Sequence, residues 1–525
     1  MALPPPSALL GIDRYLGWYP GQSEAVSRSL DWYHSPSRFI GLSIPTGSGK
    51  TVIALILSRL SGARTVILTA TKGLQSQYLI DTQPLGGVLV MGQNNFPCPL
   101  VPGLTADDGP CHDGLPCAVK ESCLYRIQLV RAQQSQLVIT NYAYWLAQTN
   151  FSQGLGDTDL IVCDEAHMAF GAMEGYLTIF LSKLDIEPMG IQFPESAGQW
   201  GVWRSWADVS KPIAQENVSN IESDIKVRRS QNQQVPNHIS RAYRSAKSVQ
   251  ARLDRLSSVG EDWVIQKTHH GYRFVPKWVD NYSSHLFQDV PKVVLMSAIL
   301  SHRTADYLGV PPDEDRSWIE MDSYFPPENT PIWHVPTARI NYRTDDYGEA
   351  IWVSRIDQII QRRMDRKGIV FTVSYDRARL LLSRSRFKNI MITHSTGDVV
   401  QVVDKFKRMP APAVLVSPTV TTGWDFPADT TGVRYLVAGK LPYPDTRDVV
   451  TKARHEEDKD WTSYMAMETM VQELGRATRS STDRVECLIV DDNWKWFYWK
   501  YKDFSPRWFQ ERVLGSLESV PDPLV

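Results

Sequence analysis

The sequence lacks the features that would place it in a membrane, in a secretory pathway or on a polyanion by charge alone. No apolar run approaches the roughly 18 residues that cross a bilayer. The first ten residues lack a charged segment followed by an apolar segment and a cleavage site. The charges nearly cancel at a net −2, so no global basic field exists. We therefore expect a cytoplasmic globular protein without membrane contact, and its 525 residues predict several domains.

Cysteine is scarce, and its placement does not fit a secreted disulfide framework. Of six cysteines, four lie close together in a segment without apolar periodicity: Cys98, Cys111, Cys117 and Cys123. Four thiolates in such a segment favour a metal-bound fold with either zinc or a 4Fe–4S cluster. Structural zinc sites usually contain CxxC pairs, which are missing here, so the cluster is favoured. Cys163 and Cys487 lie inside apolar strands and are predicted to be buried hydrophobic side chains.

The apolar segments predict an α/β fold with two parallel sheets. Short runs of Val, Ile and Leu alternate with helical segments, which is typical of doubly wound sheets. Strands are predicted at 38–44, 65–71, 137–140, 160–167 and 291–300 for the first sheet, and at 368–374, 389–393, 413–418, 433–439 and 485–492 for the second. The predicted units are a first domain from 1–93, 127–170 and 261–308, a cysteine insertion at 94–126, a helical insertion at 171–260, a linker near 310–340 and a second domain at 330–525.

The segment IPTGSGKT at 44–51 is typical of a loop that binds nucleotide phosphates. Glycines let backbone amides approach the phosphates, a lysine supplies charge and a hydroxyl serves Mg²⁺. The loop lies between a predicted strand and a predicted helix, as this chemistry requires. Ile44 departs from the usual pattern, which has a small residue there. We predict an ATP site built on Thr46, Gly47, Ser48, Gly49, Lys50 and Thr51.

Asp164 and Glu165 end a predicted buried strand in the segment VCDEAH at 162–167. At the carboxyl end of a parallel strand, an aspartate can hold Mg²⁺ through water and a glutamate can activate the attacking water. We assign these roles to Asp164 and Glu165, and coupling between the domains to His167. The alternative is an acidic pair at a solvated sheet edge, which the preceding apolar run LIVC argues against.

Arg476 and Arg479 stand three residues apart in QELGRATR at 472–479, and a helix would place both on one face. Arginines that reach a nucleotide from a second domain stabilise transition-state charge when a cleft closes. The alternative is a pair of ordinary surface arginines. The neighbouring Gln472 and Gly475 favour the catalytic interpretation.

In order, these motifs resemble those of superfamily 2 helicases. The wider set includes a Q motif ending at Gln22, a motif Ia at 69–77, a stretch at 139–146 before the acidic strand, a motif III at 296–300 and a motif V at 421–427 with Gly423 and Asp425. The four cysteines between motifs Ia and II, and KLPYPDT at 440–446, are similar to the iron–sulfur XPD/DinG branch. Ile299 departs from the family's usual threonine in motif III.

The resemblance implies an ATP-dependent DNA helicase with two RecA-like parallel-sheet motor domains, an iron–sulfur insertion and an arch-like helical insertion. It implies ATP, Mg²⁺ and a 4Fe–4S cluster as cofactors, and 5′→3′ movement on single-stranded DNA. Forked or overhang duplex DNA would be the unwound substrate, and a nucleoid location is compatible with it. Catalysis is expected from Lys50, Asp164, Glu165, Arg476 and Arg479, with ATP contacts from Gln22, Asp425 and Gln472 besides the phosphate loop.

Two alternatives and several questions stay open from the sequence. The chain could be a translocase that remodels complexes without separating strands, or an ATP-gated nucleic-acid clamp with structural zinc. The N-terminal exonuclease of some DinG proteins is not expected, because only 43 residues precede the phosphate loop segment. The pathway (DNA repair among others) and the protein partners are not indicated.

Two further segments bear on the path of nucleic acid. Arg241, Arg244, Arg252 and Arg255 share one arc of a predicted helix. They would either follow a phosphate backbone or form a solvated helix face. The tail at 493–509 interleaves aromatic residues with lysines, which is typical of a base-stacking platform. Packing of the same aromatic residues onto the second domain is the simpler interpretation.

Overall fold

The fold is given by a computed structural model, which describes residues 3–101, 103–109, 111, 117–195, 197–231, 233, 235–312, 316–418, 424, 426–476 and 482–524. In chain order the strands are β1 (Phe39–Ser43), β2 (Thr65–Thr69), β3 (Val88–Leu89), β4 (Leu137–Asn141), β5 (Leu160–Asp164), β6 (Ile179–Ser182), β7 (Trp263–Lys267), β8 (Gly271–Pro276), β9 (Lys292–Ser297), β10 (Arg316–Glu320), β11 (Ile332–His334), β12 (Lys367–Phe371), β13 (Met391–Ile392), β14 (Ala413–Ser417), β15 (Val433–Ala438), β16 (Glu486–Ile489) and β17 (Val513–Ser516).

The helices cover the faces of these strands. In chain order they are α1 (Pro6–Leu10), α2 (Gln22–Tyr33), α3 (Lys50–Ser61), α4 (Lys72–Thr82), α5 (Leu124–Gln134), α6 (Tyr142–Phe151), α7 (Ala169–Leu177), α8 (Lys183–Ile186), α9 (Trp200–Ser230), α10 (Asn237–Leu256), α11 (Ser284–Phe287), α12 (His302–Tyr307), α13 (Asp346–Gln361), α14 (Tyr375–Arg384), α15 (Val399–Arg408), α16 (Ala428–Thr431), α17 (Val449–Glu457), α18 (Trp461–Leu474), α19 (Asn493–Tyr501) and α20 (Arg507–Gln510).

Two parallel sheets organise the chain, in the orders β10-β1-β9-β5-β2-β4-β3 and β13-β14-β12-β15-β16-β11-β17. Central strands such as β1, β2 and β12 are buried along their whole length. Burial on both faces explains why they read as continuous apolar runs rather than as alternating patterns. The prediction of two parallel-sheet α/β domains is confirmed.

The segment predicted as a linker near 310–340 contains two strands instead. Its β10 pairs with β1 at the edge of the first sheet, and its β11 pairs with β16 and β17 in the second. Strand β11 has only three residues, and β10 has the mixed sequence RSWIE, so neither shows the apolar run that marks a central strand. The chain therefore passes from one sheet to the other between Glu320 and Ile332.

The predicted helical insertion forms with an antiparallel sheet at its base. Helices α9 and α10 pack against each other, and strands β6, β8 and β7 form the sheet beside them. Strands β7 and β8 lie at 263–276, a stretch that we had assigned to the first domain. The other domain boundaries stay predictions.

Among the described helices, none combines the length and the apolar character that crossing a membrane requires. Location in the cytoplasm or at the nucleoid stays a prediction.

Candidate nucleotide site

A cavity of about 840 Å³ is lined by residues from both halves of the chain. The first half is the part that forms the first sheet, and the second half is the part that forms the second sheet. The first half contributes the phosphate loop and the acidic strand end, and the second contributes the end of α18 and its neighbours. Its lining includes Gln22, Thr46, Gly47, Gly49, Lys50, Thr51, Asp164, Glu165, His167 and Ile299 from the first half, and Lys407, Trp424, Gln472, Gly475, Arg476 and Trp508 from the second. Sequence-predicted residues from four separate motifs thus share one cavity: the Q motif, the phosphate loop, the acidic strand end and the arginine segment.

The phosphate loop runs from β1 into α3 with a backbone that requires glycine. Gly47 and Gly49 have φ angles of 81° and 77°, which side-chain-bearing residues rarely adopt. A Cβ atom at Gly49 would lie 2.2 Å from Nε2 of Gln22, so the close approach of that side chain also excludes a substituent. Gly49 is the N-cap of α3, whose first amides point toward an anion-binding position. Ile44 is fully buried in the core, which explains the apolar residue there.

Gln22 fixes the phosphate loop to the segment before α2. Its Nε2 donates to the Ser48 carbonyl at 2.8 Å, and its Oε1 accepts from the Tyr19 amide at 2.8 Å. The side chain is only 2% exposed. Both ends of the carboxamide therefore bond to protein. Gln22, which lines the cavity, thus holds the phosphate loop against the segment before α2.

Glu165 lies at the centre of a polar network that joins four motif residues. Its Oε1 is 3.6 Å from Nζ of Lys50, and its Oε2 accepts from the Ser297 hydroxyl at 3.2 Å. The Ser297 Oγ is also 2.7 Å from Nδ1 of His167. Glu165 has a φ of 50°, an uncommon backbone conformation that places it just beyond the end of β5. Such conformations persist where surrounding contacts impose them, often at functional sites.

The charges in this network shift the pKa values of its groups in different directions. Burial raises the pKa of Asp164, and the adjacent Glu165 charge adds to that rise. Burial also acts to raise the pKa of Glu165, but Lys50, His167, Ser297 and Arg476 together outweigh it and lower that pKa. Burial lowers the pKa of His167 to about 4, so this imidazole is neutral at pH 7. Glu165 is thus the ionised carboxylate, as activation of a water molecule requires.

Arg476 approaches this carboxylate from the opposite wall of the cavity. Its charge helps to lower the pKa of Glu165, and its Nη1 donates to the Trp424 carbonyl at 2.7 Å. The prediction that Arg476 and Arg479 share a helix face is wrong for Arg476. Helix α18 ends at Leu474 with Gly475 as its C-cap, so Arg476 lies beyond the helix. Arg479, Gly423 and Asp425 lie outside the described residues.

Three residues that were not predicted as site residues support the acidic strand end, although Tyr142 and Ser297 lie inside the motif segments at 139–146 and 296–300. The Tyr142 hydroxyl donates to the Asp164 carbonyl at 2.9 Å, and Ser297 bridges His167 and Glu165. Tyr78 of α4 is fully buried beside Thr51 and Asp164, and this burial together with the Asp164 charge raises the pKa of its hydroxyl. The sequence of α4, KGLQSQYLIDT, is mixed in polarity and offered no signal that would have selected Tyr78.

The four clustered cysteines approach one another in the insertion between β3 and α5. Cys98 and Cys123 are buried, and Cys111 is exposed. Burial and the nearby thiols of Cys117, Cys123 and Cys98 raise the pKa of Cys111. A Cβ atom at Gly109 would lie 3.1 Å from the Cys98 sulfur and 3.7 Å from the Cys111 sulfur, so glycine leaves room where these thiols meet. Within the described ranges, no group of three or more His, Cys, Asp or Glu is arranged to hold a metal ion.

The arginine arc of α10 faces protein rather than solvent. Arg244 donates to the Asp107 carbonyl at 2.7 Å and to Asp108 at 3.3 Å. Arg252 pairs with Asp185 at 3.1 Å, and Arg255 donates to the Leu177 carbonyl. These contacts correct the interpretation of the four residues as a continuous phosphate-binding stripe, and of the four only Arg241 is exposed.

Comparison with protein families adds an independent observation. A model of the helicase C-terminal domain matches residues 358–512, and a model of the type III restriction enzyme res subunit matches residues 15–187. The two matches cover the two walls of the cavity. No curated protein matches the chain in sequence.

Comparison with solved structures identifies the fold. An XPD helicase superposes with a TM-score of 0.67 at 15% identity, covering 96% of this chain and 100% of that one. The chain has the fold of an XPD helicase. S. tokodaii Xpd4 gives 0.61 at 14% identity with 92% and 98% coverage, and an apo form of XPD gives 0.60 at 14% with 95% and 99% coverage. The family matches bear out the resemblance of the motifs to helicases, the fold is that of XPD helicases, and together the matches support an ATP-driven nucleic-acid motor of helicase type.

Proposed function

We propose that the chain is an ATP-dependent DNA helicase that moves 5′→3′ on single-stranded DNA. One observation carries the proposal: residues from the two halves of the chain line the same cavity. Lys50 and Glu165 belong to the first half, and Gln472 and Arg476 belong to the second. A site shared in this way changes when the halves move. Hydrolysis in such a cleft can therefore be coupled to mechanical motion.

The residues of the first half would bind and activate ATP. The phosphate loop with Lys50 would hold the β- and γ-phosphates, and Thr51 and Asp164 would hold Mg²⁺, whose charge offsets that of the phosphates. Glu165 would accept a hydrogen bond from the attacking water and orient it. Ser297 holds the Glu165 carboxylate in place by donating to it at 3.2 Å, and His167 in turn holds the Ser297 hydroxyl at 2.7 Å.

The residues of the second half would complete the site. Arg476 would place its guanidinium on the charge that develops during phosphoryl transfer, and Arg479 would assist it. Gln472 would contact the nucleotide from the end of α18, and Asp425 would do so from its own loop. Their contribution depends on closure of the cleft.

The four cysteines would hold a 4Fe–4S cluster that fixes the shape of the 94–126 insertion. Support comes from the thiol chemistry of the set and from the approach of the Cys98 and Cys111 sulfurs at Gly109. Arg244 of α10 joins this insertion to the helical insertion through Asp107 and Asp108. A small rigid unit in this position would lie near the point where forked or overhang duplex DNA separates.

The decisive experiment measures ATP turnover and strand displacement with the full chain. ATPase activity is compared without nucleic acid, with single-stranded DNA and with single-stranded RNA. Displacement is measured on duplexes with a 5′ or a 3′ overhang. Lys50→Ala serves as the inactive form, and Arg59→Ala, an exposed basic residue on the same helix α3, serves as the matched control.

The proposed function predicts turnover stimulated by single-stranded DNA and displacement only from a 5′ overhang. Stimulated turnover without displacement would instead identify a translocase that remodels complexes. Nucleic-acid binding without stimulated turnover would identify an ATP-gated clamp. Displacement only from a 3′ overhang would contradict the assigned polarity.

A further inference from the structure

Helix α19 presents two faces of opposite character. Trp494, Phe497 and Tyr501 are buried against the second sheet's core. Trp496 and Trp499 on the other side are 55% and 78% exposed. Core packing therefore explains half of the aromatic residues of this helix and leaves the two exposed indoles without a structural role of that kind.

Two exposed lysines flank the two exposed indoles. At 100° per residue, the order around the helix is Lys495, Trp499, Trp496, Lys500, within an arc of about 140°. The Lys500 ammonium lies 5.4 Å from the centre of the Trp496 ring. A hydrogen bond with the Tyr501 hydroxyl and, to a smaller extent, the Asp460 charge raise the pKa of Lys500, so this edge of the surface has mixed charge while both flanks of the indoles are basic. We call these four residues the α19 platform.

The α19 platform stands on a rigid base beside the carboxyl edge of the second sheet. The Phe497 ring lies 5.5 Å from that of Tyr443, and Trp494 stacks on Tyr498 at 4.9 Å. The buried Asp491 accepts hydrogen bonds from the Leu441 and Asn493 amides, both at 3.0 Å. These bonds tie the start of α19 to the loop after β15. The helix that carries the indoles is therefore held in position before any ligand arrives, so binding needs to order only their side chains.

We propose that the α19 platform binds single-stranded nucleic acid by stacking two bases on Trp496 and Trp499 while Lys495 and Lys500 contact the phosphates. Stacking on aromatic side chains tolerates any base, because every base has a π face, and lysines supply the backbone charge contacts. Side chains at i and i+3 are neighbours on a helix, so two nearby bases of one strand can each meet an indole. The proposal rests on the proposed function and adds to it a contact surface outside the ATP cavity.

The test measures binding of a fluorescein-labelled 20-nucleotide oligothymidylate to the full chain by anisotropy. Trp496→Ala/Trp499→Ala is expected to weaken binding at least about tenfold, because two base–aromatic stacks are lost. Trp496→Phe/Trp499→Phe retains aromatic faces and is expected to bind within about threefold of wild type. Phe151→Ala removes an aromatic residue that is 69% exposed on α6, and it is the matched control.

The contribution of Lys495 and Lys500 is measured separately, through the salt dependence of binding. Lys495→Gln/Lys500→Gln is expected to reduce the slope of log K against log salt by about 1.4, since each phosphate contact on a single strand contributes about 0.7. Photocrosslinking of wild type to a 5-iodouracil oligonucleotide, mapped by mass spectrometry, is expected to label Trp496 or Trp499. Basal ATP turnover without nucleic acid is expected to be unchanged in all these variants.

The wild-type protein tests the proposed function, and the variants test the α19 platform. If wild type neither binds the oligonucleotide nor hydrolyses ATP faster with it, the proposed function itself fails. If wild type responds but the double alanine variant binds equally well, the α19 platform alone is refuted, and its exposed face then serves another partner such as an acidic protein segment. Crosslinks confined to other residues would overturn the platform even if an alanine variant failed to fold.

Discussion

Ser297 and His167 lie 2.7 Å apart, joining the end of β9 to the segment after β5. Because the Ser297 hydroxyl hydrogen goes to Glu165, the neutral His167 imidazole must donate from Nδ1 to the Ser297 oxygen. The Ile299 amide donates to the same oxygen at 3.2 Å. Ser297 therefore connects the carboxylate that would activate water to a backbone segment that lines the cavity.

We predict that Ser297→Ala lowers kcat for ATP about 10- to 100-fold while leaving KM for ATP nearly unchanged. Ser297 positions Glu165 rather than contacting phosphate, so ground-state binding should persist. Ser258→Ala, which removes an exposed hydroxyl bonded to the Arg255 carbonyl, is the control and should behave as wild type. A loss confined to KM would contradict the positioning role.

We predict opposite nucleotide-binding behaviour for Lys50→Ala and Glu165→Gln. The first removes the charge that would meet the phosphates and should weaken ATP binding and abolish turnover. The second keeps that charge and removes only the carboxylate, so ATP should bind and remain unhydrolysed, with turnover reduced at least about 100-fold. Equilibrium binding of a fluorescent ATP analogue and phosphate release separate the two. Near wild-type turnover in either variant would refute the role of that residue.

The sheets were predictable because central parallel strands are continuous apolar runs, and the phosphate loop was predictable because its chemistry dictates residue types at fixed spacing. The short edge strand β10 was missed, because it lacks such a run. The inward turn of Arg252 and Arg255 depends on acceptors at Asp185 and Leu177, about 70 positions away in the sequence. Helical periodicity alone cannot reveal such long-range partners. The same limit hid the bridge between Ser297 and His167.

We predict that Arg476→Ala reduces kcat far more than it weakens ATP binding. The Arg476 charge would stabilise the transition state, and it would do so only when the cleft is closed. Arg476→Lys keeps a positive charge but loses the planar donor set that reaches the Trp424 carbonyl. It should therefore recover only part of the activity. Steady-state turnover with saturating single-stranded DNA, beside ATP affinity, provides the measurement. A variant with unchanged kcat and reduced ATP affinity would contradict the transition-state role of Arg476.

Glu468 links pH to stability at the contact between the two halves of the chain. It accepts from the Tyr464 hydroxyl at 2.7 Å, and that hydroxyl is also 2.7 Å from the Thr304 hydroxyl of the first half. Burial raises the pKa of Glu468 from 4.5 to about 8. Because the folded state then binds the proton more tightly than the unfolded state, the stability that this group contributes is full below about pH 4.5 and is lost as pH rises through 8.

We predict that Glu468→Gln flattens the decline in melting temperature of the full chain between pH 6 and pH 9. The variant should be more stable than wild type at pH 9, by about 1 °C for each kcal/mol recovered, because the unfolding entropy of a chain of this length is about 1.1 kcal/mol/K. Some decline should remain, since burial also raises the pKa of Glu473 to about 8. Glu216→Gln on the exposed side of α9 is the control. Parallel melting curves for wild type and Glu468→Gln across this range would contradict the prediction.

The last prediction is that Cys111→Ser yields a protein without iron that still hydrolyses ATP with single-stranded DNA but displaces strands poorly. The described residues of the cysteine segment contain little regular structure, so a metal group would have to hold their shape. It leaves the first sheet after β3 and returns to it through α5 and β4, whereas the cavity is lined by other segments. The ATP site should therefore remain assembled when the thiol is lost.

Visible absorption, iron and sulfide content, ATP turnover and strand displacement are measured on the same anaerobic preparation. Wild type that is colourless and carries stoichiometric zinc would overturn the cluster, and an iron-free variant that unwinds normally would refute its mechanical role.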